Sequence, residues 1–289
     1  MVVVSRNRVA ELRRCLESIE GAKGRETYQL IVVDNGSSDG AAHLDDEFPK
    51  VQWIRLPKNF GLTKAWNLGW RAADAEYVLF LHDDTRLEPD AIASLAAALD
   101  AHADAAAVCP LLVDEEGRPA PQLGALPPTN EWVAATPATE PMPVESPRGA
   151  AVMARIFFIK AIRQIDARYG QFGCDSDLAA EIRRAGRKIL MVPSARVFHH
   201  GRTEYSSLER ADFLLGRAVF LGKYNGFGAG IQARLGAIFG PLFGFRLGEF
   251  RHTLSGQTID GTLESPGRGV GVGEVRTGPA GQRGQGDAG

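Results

Sequence analysis

The sequence predicts an α/β fold: a mostly parallel central sheet flanked by helices, with a helical extension at the C-terminal end. Three observations carry this expectation. Over the first 110 residues, short apolar runs alternate with amphipathic stretches. The runs are nearly unbroken by polar residues, as strands covered on both faces require. Each early run also ends in polar residues, where ligands bind in sheets of this kind.

The elements follow in order. Val2 to Val4 reads as a short buried strand. Val9 to Glu20 carries Leu12, Cys15, Leu16 and Ile19 at helical spacing. Leu30 to Val33 and Val51 to Leu56 are the next strands. Leu62 to Ala73 predicts a helix, with Trp66 and Trp70 on one face and expected in the core. Tyr77 to Leu81 is a fourth strand, Pro89 to Leu99 an alanine-rich helix, and Ala105 to Cys109 a further strand. Residues 117–147 hold Pro119, Pro121, Pro127, Pro128, Pro137, Pro141, Pro143 and Pro147, so they are expected to form a loop crossing the surface. Beyond Gly149 come a strand at Ala150 to Met153, a helix, and a second helix from about Asp177 to Ala185. Apolar runs at Ile189–Val192 and Ala195–Phe198 then end at His199-His200. Leu208 to Phe250 is expected to be helical. The Gly-rich end lacks periodicity and is expected to be disordered. The boundaries read as 1–110 for a first half, 111–207 for a second half with the Pro-rich connection, 208–254 for the helical extension and 255–289 for the tail.

Composition narrows the classes. A chain of 289 residues with 44% hydrophobic and 24% charged residues builds one large domain with appendages, or two small ones. A net charge of −2 supplies no basic field, which argues against nucleic acid as the main partner. Cys15, Cys109 and Cys174 are odd in number and without paired spacing, fitting neither a disulfide framework nor a zinc site. With no signal peptide and no apolar run of about 20 residues, the expected location is the cytoplasm, at or near the inner face of the plasma membrane. The first strand starts so close to Met1 that trimming of the N-terminus is expected.

Five segments carry candidate chemistry. Asp34-Asn35-Gly36-Ser37-Ser38-Asp39-Gly40 follows a strand, where a carboxylate can accept from a base or ribose and glycine lets the backbone turn closely. The bland reading is a loop in which Ser38 or Asp39 caps a helix. Asn59, Gly61, Asn67 and Gly69 punctuate the next helix; the glycines allow close packing, and Asn67 either caps a turn or touches a nucleotide. His82-Asp83-Asp84-Thr85 places adjacent carboxylates after a buried strand, which is costly without a compensating cation. A hard divalent ion bridging to phosphate would compensate; a solvated turn is the alternative. Asp177 is expected at a helix start, where the macrodipole favours an acid, and Asp175 precedes it in a loop that could face a cleft; the bland reading makes both of them caps. His199, ending an apolar strand, is a structural histidine or a metal ligand.

Taken in this order, the segments resemble glycosyltransferase family 2, with the inverting GT-A fold, closest to bacterial rhamnosyltransferase-like and galactofuranosyltransferase-like enzymes. The resemblance covers roughly residues 1–225. It rests on Ser5-Arg6-Asn7-Arg8, on Val33 to Gly40, on the Asn59–Gly61 and Asn67–Gly69 element and on His82 to Thr85 at the Asp-x-Asp position. Ile165-Asp166-Ala167, Cys174 to Leu178 with Arg183, and Pro193 to His199 complete it.

The resemblance implies a metal-assisted transfer of a sugar from a UDP- or dTDP-linked donor to a hydroxyl of a glycan or lipid-linked acceptor. It implies nucleotide contacts from Ser5, Asn7, Arg8, Asp34, Asn59, Gly61, Asn67 and Asp83. Mg²⁺ or Mn²⁺ would be held by Asp84, His199 and His82, and Asp175 would be the general base. Two positions depart from the pattern. His82 stands where the first acid of the motif is usual, and Cys174 replaces an acid beside Asp175. A catalytically silent nucleotide-sugar binder is therefore one alternative. A nucleotidyltransferase is another, although Ser5 to Arg8 lacks the glycine its triphosphate loop needs. Arg210, Arg217, Lys223, Arg234 and Arg246 interleave with apolar residues, which suits either contact with an anionic membrane or a helical cap on the core.

Overall fold

A computed structural model describes residues 1–129, 131–199, 201 and 205–259. His200 and the tail from residue 260 onward lie outside the described residues. The first part of the chain runs β1 (Val2–Ser5), α1 (Val9–Glu20), β2 (Ile31–Asp34), α2 (Leu44–Glu47), β3 (Gln52–Arg55), α3 (Leu62–Arg71), β4 (Tyr77–His82), β5 (Thr85–Leu87), α4 (Ala91–Ala101) and β6 (Ala105–Val113). Short strands follow: β7 (Pro121–Gly124), β8 (Val133–Ala134), β9 (Met142–Pro143) and β10 (Ser146–Pro147). Then come β11 (Ala151–Arg155), α5 (Ile156–Ala161), α6 (Cys174–Arg184), β12 (Lys188–His199), α7 (Ser207–Tyr224), α8 (Phe227–Phe243) and α9 (Leu247–Ser255).

The main sheet has the order β3-β2-β1-β4-β11-β6-β12-β5, with β9 joined to β12. Strands β3, β2, β1 and β4 are parallel, as is the β6–β12 pair. Strand β11 runs antiparallel between β4 and β6. The reason is the path of the chain. After β6 it crosses the carboxyl end of the sheet, so the next strand starts at that end and must run back.

The pleat sorts the side chains into two cores. Val2, Val4, Ile31, Val33 and Phe80 face α3 and α6, where Trp66, Trp70 and Leu178 cover them. Val3, Val32, Leu79 and Leu81 face α1 and α4, packing on Leu12, Leu16, Ile92 and Leu95. The expected core pair Trp66 and Trp70 is 1% and 6% exposed. Trp66 stacks on Phe80 at 4.7 Å, an arrangement adding about 1 kcal/mol to simple burial. Gly69 lets α3 lie against β1: a Cβ there would stand 2.3 Å from Val2 Cγ1.

Three expectations need correction. The Pro-rich stretch is not only a loop, because β10, β7 and β8 form a small antiparallel sheet. Its prolines sit at the start of β7 and in the edge strand β10, where a missing N–H costs least. The apolar runs on either side of Pro193 form one strand, β12, with a register shift between Val192 and Arg196. Helix α6 starts at Cys174 rather than Asp177, because Gly173 makes the entering turn at φ 98°. Asp175 therefore belongs to the first helical turn and not to a preceding loop.

The helical extension is fastened by a charge. Asp177 Oδ1 accepts from Lys223 Nζ at 2.7 Å, from Tyr224 Oη at 2.8 Å and from Tyr169 Oη at 3.2 Å. This ties the end of α7 to α6, and Phe220 of α7 enters the core. A capping box between Ser206 and Glu209 starts α7. Helices α8 and α9 pack on α7 and on each other. Among the described residues, no helix is long and apolar enough to cross a membrane.

Candidate active site

The carboxyl ends of β1, β4 and β12 and the start of α6 surround one cleft of about 380 Å³. The β4–β5 hairpin supplies its acidic wall. Thr85 closes the turn that carries Asp83 and Asp84 by donating its hydroxyl to the His82 carbonyl at 2.7 Å. Strand β5 then pairs antiparallel with the end of β12, setting Thr85 opposite His199. That register is why a histidine more than a hundred residues away reaches the acidic turn.

Asp84 is the centre of the group. His199 Nε2 lies 3.3 Å from its Oδ1, and His82 Nδ1 lies 4.0 Å from the same atom. This Oδ1 is buried and has no hydrogen-bond partner among the described residues. Arg8 reaches Asp84 Oδ2 at 3.2 Å and Asp83 Oδ1 at 3.3 Å. Ser5 donates to Asp83 Oδ2 at 2.8 Å. Burial opposes the Asp84 charge, but His199, His82 and Arg8 hold its carboxyl well below the usual carboxylate range. Burial pushes the Asp83 carboxyl up to about 7, against the pull of Arg8 and Ser5. Burial also brings His82 down to about 4, so its imidazole is neutral at neutral pH and its nitrogen lone pair is available.

These residues fit a divalent metal ion. The donor atoms of His82, Asp84 and His199 lie within 4.8 Å of one another. A buried carboxylate oxygen without a partner is costly unless something cationic meets it.

Across the cleft, Asp175 is set by different neighbours. Its Oδ2 accepts from the Gly149 backbone at 3.1 Å and its Oδ1 from the Ser176 backbone at 2.8 Å. Burial raises its pKa above the ordinary value, and these amides only partly offset that. Gly149 is squeezed beside it: a Cβ there would stand 3.0 Å from Trp66 Cη2 and 3.1 Å from Asp175 Cβ.

The structure sorts the remaining predicted residues. Ser5, Arg8, Asn59, His82, Asp83, Asp84, Asp175 and His199 all line the cleft. Asp34 ends β2 beside the lining residue Asn35, and its Oδ1 accepts from the Ser37 backbone at 2.9 Å. Asn7, at φ 52°, accepts from the Ser38 backbone at 2.7 Å and pins the two loops together. Asp39 serves both neighbours, accepting from the Val9 N–H at the start of α1 at 2.7 Å and from the Ala41 N–H after its own loop at 3.2 Å.

Asn67 is not a cleft residue. Its amide bridges the Ile165 backbone and the Trp70 indole, which uses its donors and acceptor in the core. Gly61 does not line the cleft either and lies against Gly170 and Ile259. Asn59 acts through Asn35: the Asn35 side chain donates to Asn59 Oδ1 at 2.9 Å and accepts from the Phe60 N–H at 2.8 Å. Gly36 permits this approach, since a Cβ would stand 2.5 Å from the Lys58 backbone.

Sequence reasoning missed Arg148, Trp132, Phe172, Tyr205 and Phe213, which also line the cleft. Arg148 Nη2 reaches Tyr205 Oη at 3.4 Å, and its guanidinium lies over Trp132. Only the basic residue directly before Gly149 signalled this wall.

Comparison with known proteins supplies the setting. The model of the family described as Glycosyl transferase family 2 matches residues 1–151. An N-acetylglucosaminyl-diphospho-decaprenol L-rhamnosyltransferase of Mycobacterium tuberculosis is 27% identical over 231 residues, covering 69% of this chain and 75% of that protein. Among solved structures, GalNAc-T7 with UDP, GalNAc and Mn²⁺ aligns with a TM-score of 0.61 and 22% identity, over 70% of this chain and 43% of that one. S. aureus TarS 1-349 in complex with UDP-GlcNAc aligns at 0.56 and 16% identity, over 85% and 74% of the two chains. At these identities the structural matches speak for the fold, and they agree with the GT-A architecture expected from the sequence.

Proposed function

The chain belongs to glycosyl transferase family 2, and from that premise we propose that it transfers a sugar from a UDP- or dTDP-linked donor to a hydroxyl of a glycan or lipid-linked acceptor, with inversion. The observation that carries this reading is the pairing of two unlike carboxylates on one cleft, Asp84 among His82, His199 and Arg8, and Asp175 among backbone amides. Residues 1–110 are assigned to the donor and 111–207 to the acceptor. The name of the M. tuberculosis relative supports a rhamnosyl donor and a lipid-linked acceptor, and the nucleotides in the solved relatives support a uridine diphosphate.

Asp175 takes the proton of the acceptor hydroxyl, and the freed oxygen attacks the anomeric carbon. The bond from that carbon to the diphosphate oxygen breaks, and its electron pair leaves with the nucleoside diphosphate. Such base assistance contributes about 10²–10⁴-fold. His82, Asp84 and His199 would hold Mn²⁺ or Mg²⁺, which when bound supplies Lewis-acid stabilisation of the diphosphate charge. Ser5 and Arg8 orient Asp83 at the donor side. Asp34 holds the nucleoside from the rim, with Asn7, Asn35 and Asn59 fixing the loops around it. Family membership speaks against the nucleotidyltransferase alternative.

A screen of UDP- and dTDP-sugars with Mn²⁺, reading nucleoside diphosphate released in the presence of acceptor, tests the proposal. Asp175→Asn is expected to lose transfer while still binding nucleotide. Transfer by Asp175→Asn at the wild-type rate would overturn the role of the base.

A further inference from the structure

The part of the chain beyond the cleft has a surface that the transfer reaction does not use. Helix α8 exposes Phe227, Ile231, Leu235, Phe239 and Phe243, spaced by four residues along its whole length. Residues at that spacing form one slowly turning stripe on a helix. Gly236 and Gly240 flank the stripe, and no atom would meet a Cβ at either. The turn after α8 adds Phe245, which is 90% exposed and held at φ 55°. A bulky residue in the left-handed region costs stability unless something is gained elsewhere. Helix α9 continues the surface with Leu247 and Leu254, and Arg251 lies exposed between them.

Charge selects the occupant. Between Asn225 and Ile259 the sole acid is Glu249, which is fully buried and paired with Arg210 and Arg246. From Ser207 to Ile259 there are six Lys and Arg against three Asp and Glu, a positive surplus in a chain of net charge −2. Lys223, which the sequence left to either a membrane contact or a cap on the core, is held by Asp177 and Glu181 and belongs to the cap. A protein partner for so apolar a face needs no such surplus, whereas an anionic lipid surface does. Apolar residues at the acyl boundary with arginines at the phosphates form the pattern of an interfacial helix.

We propose that the exposed face of α8 and α9 docks on an anionic lipid bilayer, with Phe243, Phe245 and Leu247 entering the interface and Arg251 meeting lipid phosphates. The inference is independent of the donor and acceptor assignments.

Co-sedimentation of the full chain with vesicles of phosphatidylcholine, with and without phosphatidylglycerol, tests it directly. Binding to the anionic vesicles is expected to be at least about tenfold tighter than to the neutral ones. The triple variant Phe243→Ser/Phe245→Ser/Leu247→Ser should lose at least about tenfold, since each exposed side chain contributes buried apolar area. Arg251→Glu should lose about fivefold or more on anionic vesicles. All three changed apolar residues are exposed, and an unaltered thermal melt would show that the variant still folds. Absence of binding to either vesicle overturns the proposal, as does wild-type binding by the triple variant. A stable dimer in light scattering that the same triple variant dissociates would also overturn it, assigning the face to a second copy.

Discussion

Asp84 and Asp175 stand on one cleft, are both largely enclosed, and are set in opposite directions by their neighbours. Asp84 has Arg8 on one oxygen and His199 beside the other, and these keep its carboxyl well below the usual carboxylate range despite burial. Asp175 receives only backbone N–H groups from Gly149 and Ser176, and burial raises its pKa. A carboxylate that stays charged suits cation and phosphate work. One that is readier to take a proton suits base catalysis. The difference teaches that surroundings alone can set two residues of one type apart, which is the basis of the division of labour proposed for them.

The comparison is open to being broken at several points. The largest effect is expected at Asp84→Asn, where donor turnover should fall about 10³-fold, within the range seen when a central electrostatic group is lost. Next is Gly149→Ala, whose methyl would press on both Trp66 and Asp175. A base displaced by about 1 Å should cost up to about 10²-fold in kcat, with donor affinity little changed in a calorimetric titration.

The pH profile gives a subtler test. As the proposed base, Asp175 acts only when ionised, and burial raises its pKa above the ordinary aspartate value of 3.8. Turnover should therefore fall as pH is lowered, beginning above the pH at which an exposed aspartate would titrate; a rate that stays flat down to pH 4 would count against the assignment. The smallest effect on catalysis is expected at Asn67→Ala. Losing its bonds to Ile165 and Trp70 should lower stability by about 2 kcal/mol, read in denaturant unfolding. Donor KM of the folded enzyme should be unchanged.

The same two acids show what the sequence made legible. Most strands and helices through residue 113 followed from apolar periodicity, though the short α2 and β5 did not, and the ends of the predicted strands marked the cleft. The acidic turn was visible because adjacent carboxylates after a buried strand demand compensation. Its partner His199 was suggested by the end of an apolar run, but the register of β5 on β12 that joins them is a long-range pairing with no local signal. By residue pattern both Asp175 and Asp177 could be caps, and only the resemblance singled out Asp175. Only the arrival of Lys223 and Tyr224 shows that Asp177 fastens α7, leaving Asp175 to the cleft. Asn67 resembled a ligand-binding residue because buried asparagines and ligand asparagines share the same polarity. The antiparallel entry of β11 and the wall formed by Arg148 and Tyr205 depend on how the Pro-rich crossing folds back, which composition does not encode.

The division of labour is tested most directly by titrating UDP into Asp84→Asn and Asp175→Asn by calorimetry, each with and without Mn²⁺. Mn²⁺ is expected to tighten nucleotide binding by the unaltered chain; Asp175→Asn is expected to keep that tightening, and Asp84→Asn to lose it. If Asp84→Asn retains the full Mn²⁺ effect, or Asp175→Asn loses it, the two carboxylates do not divide the work in this way.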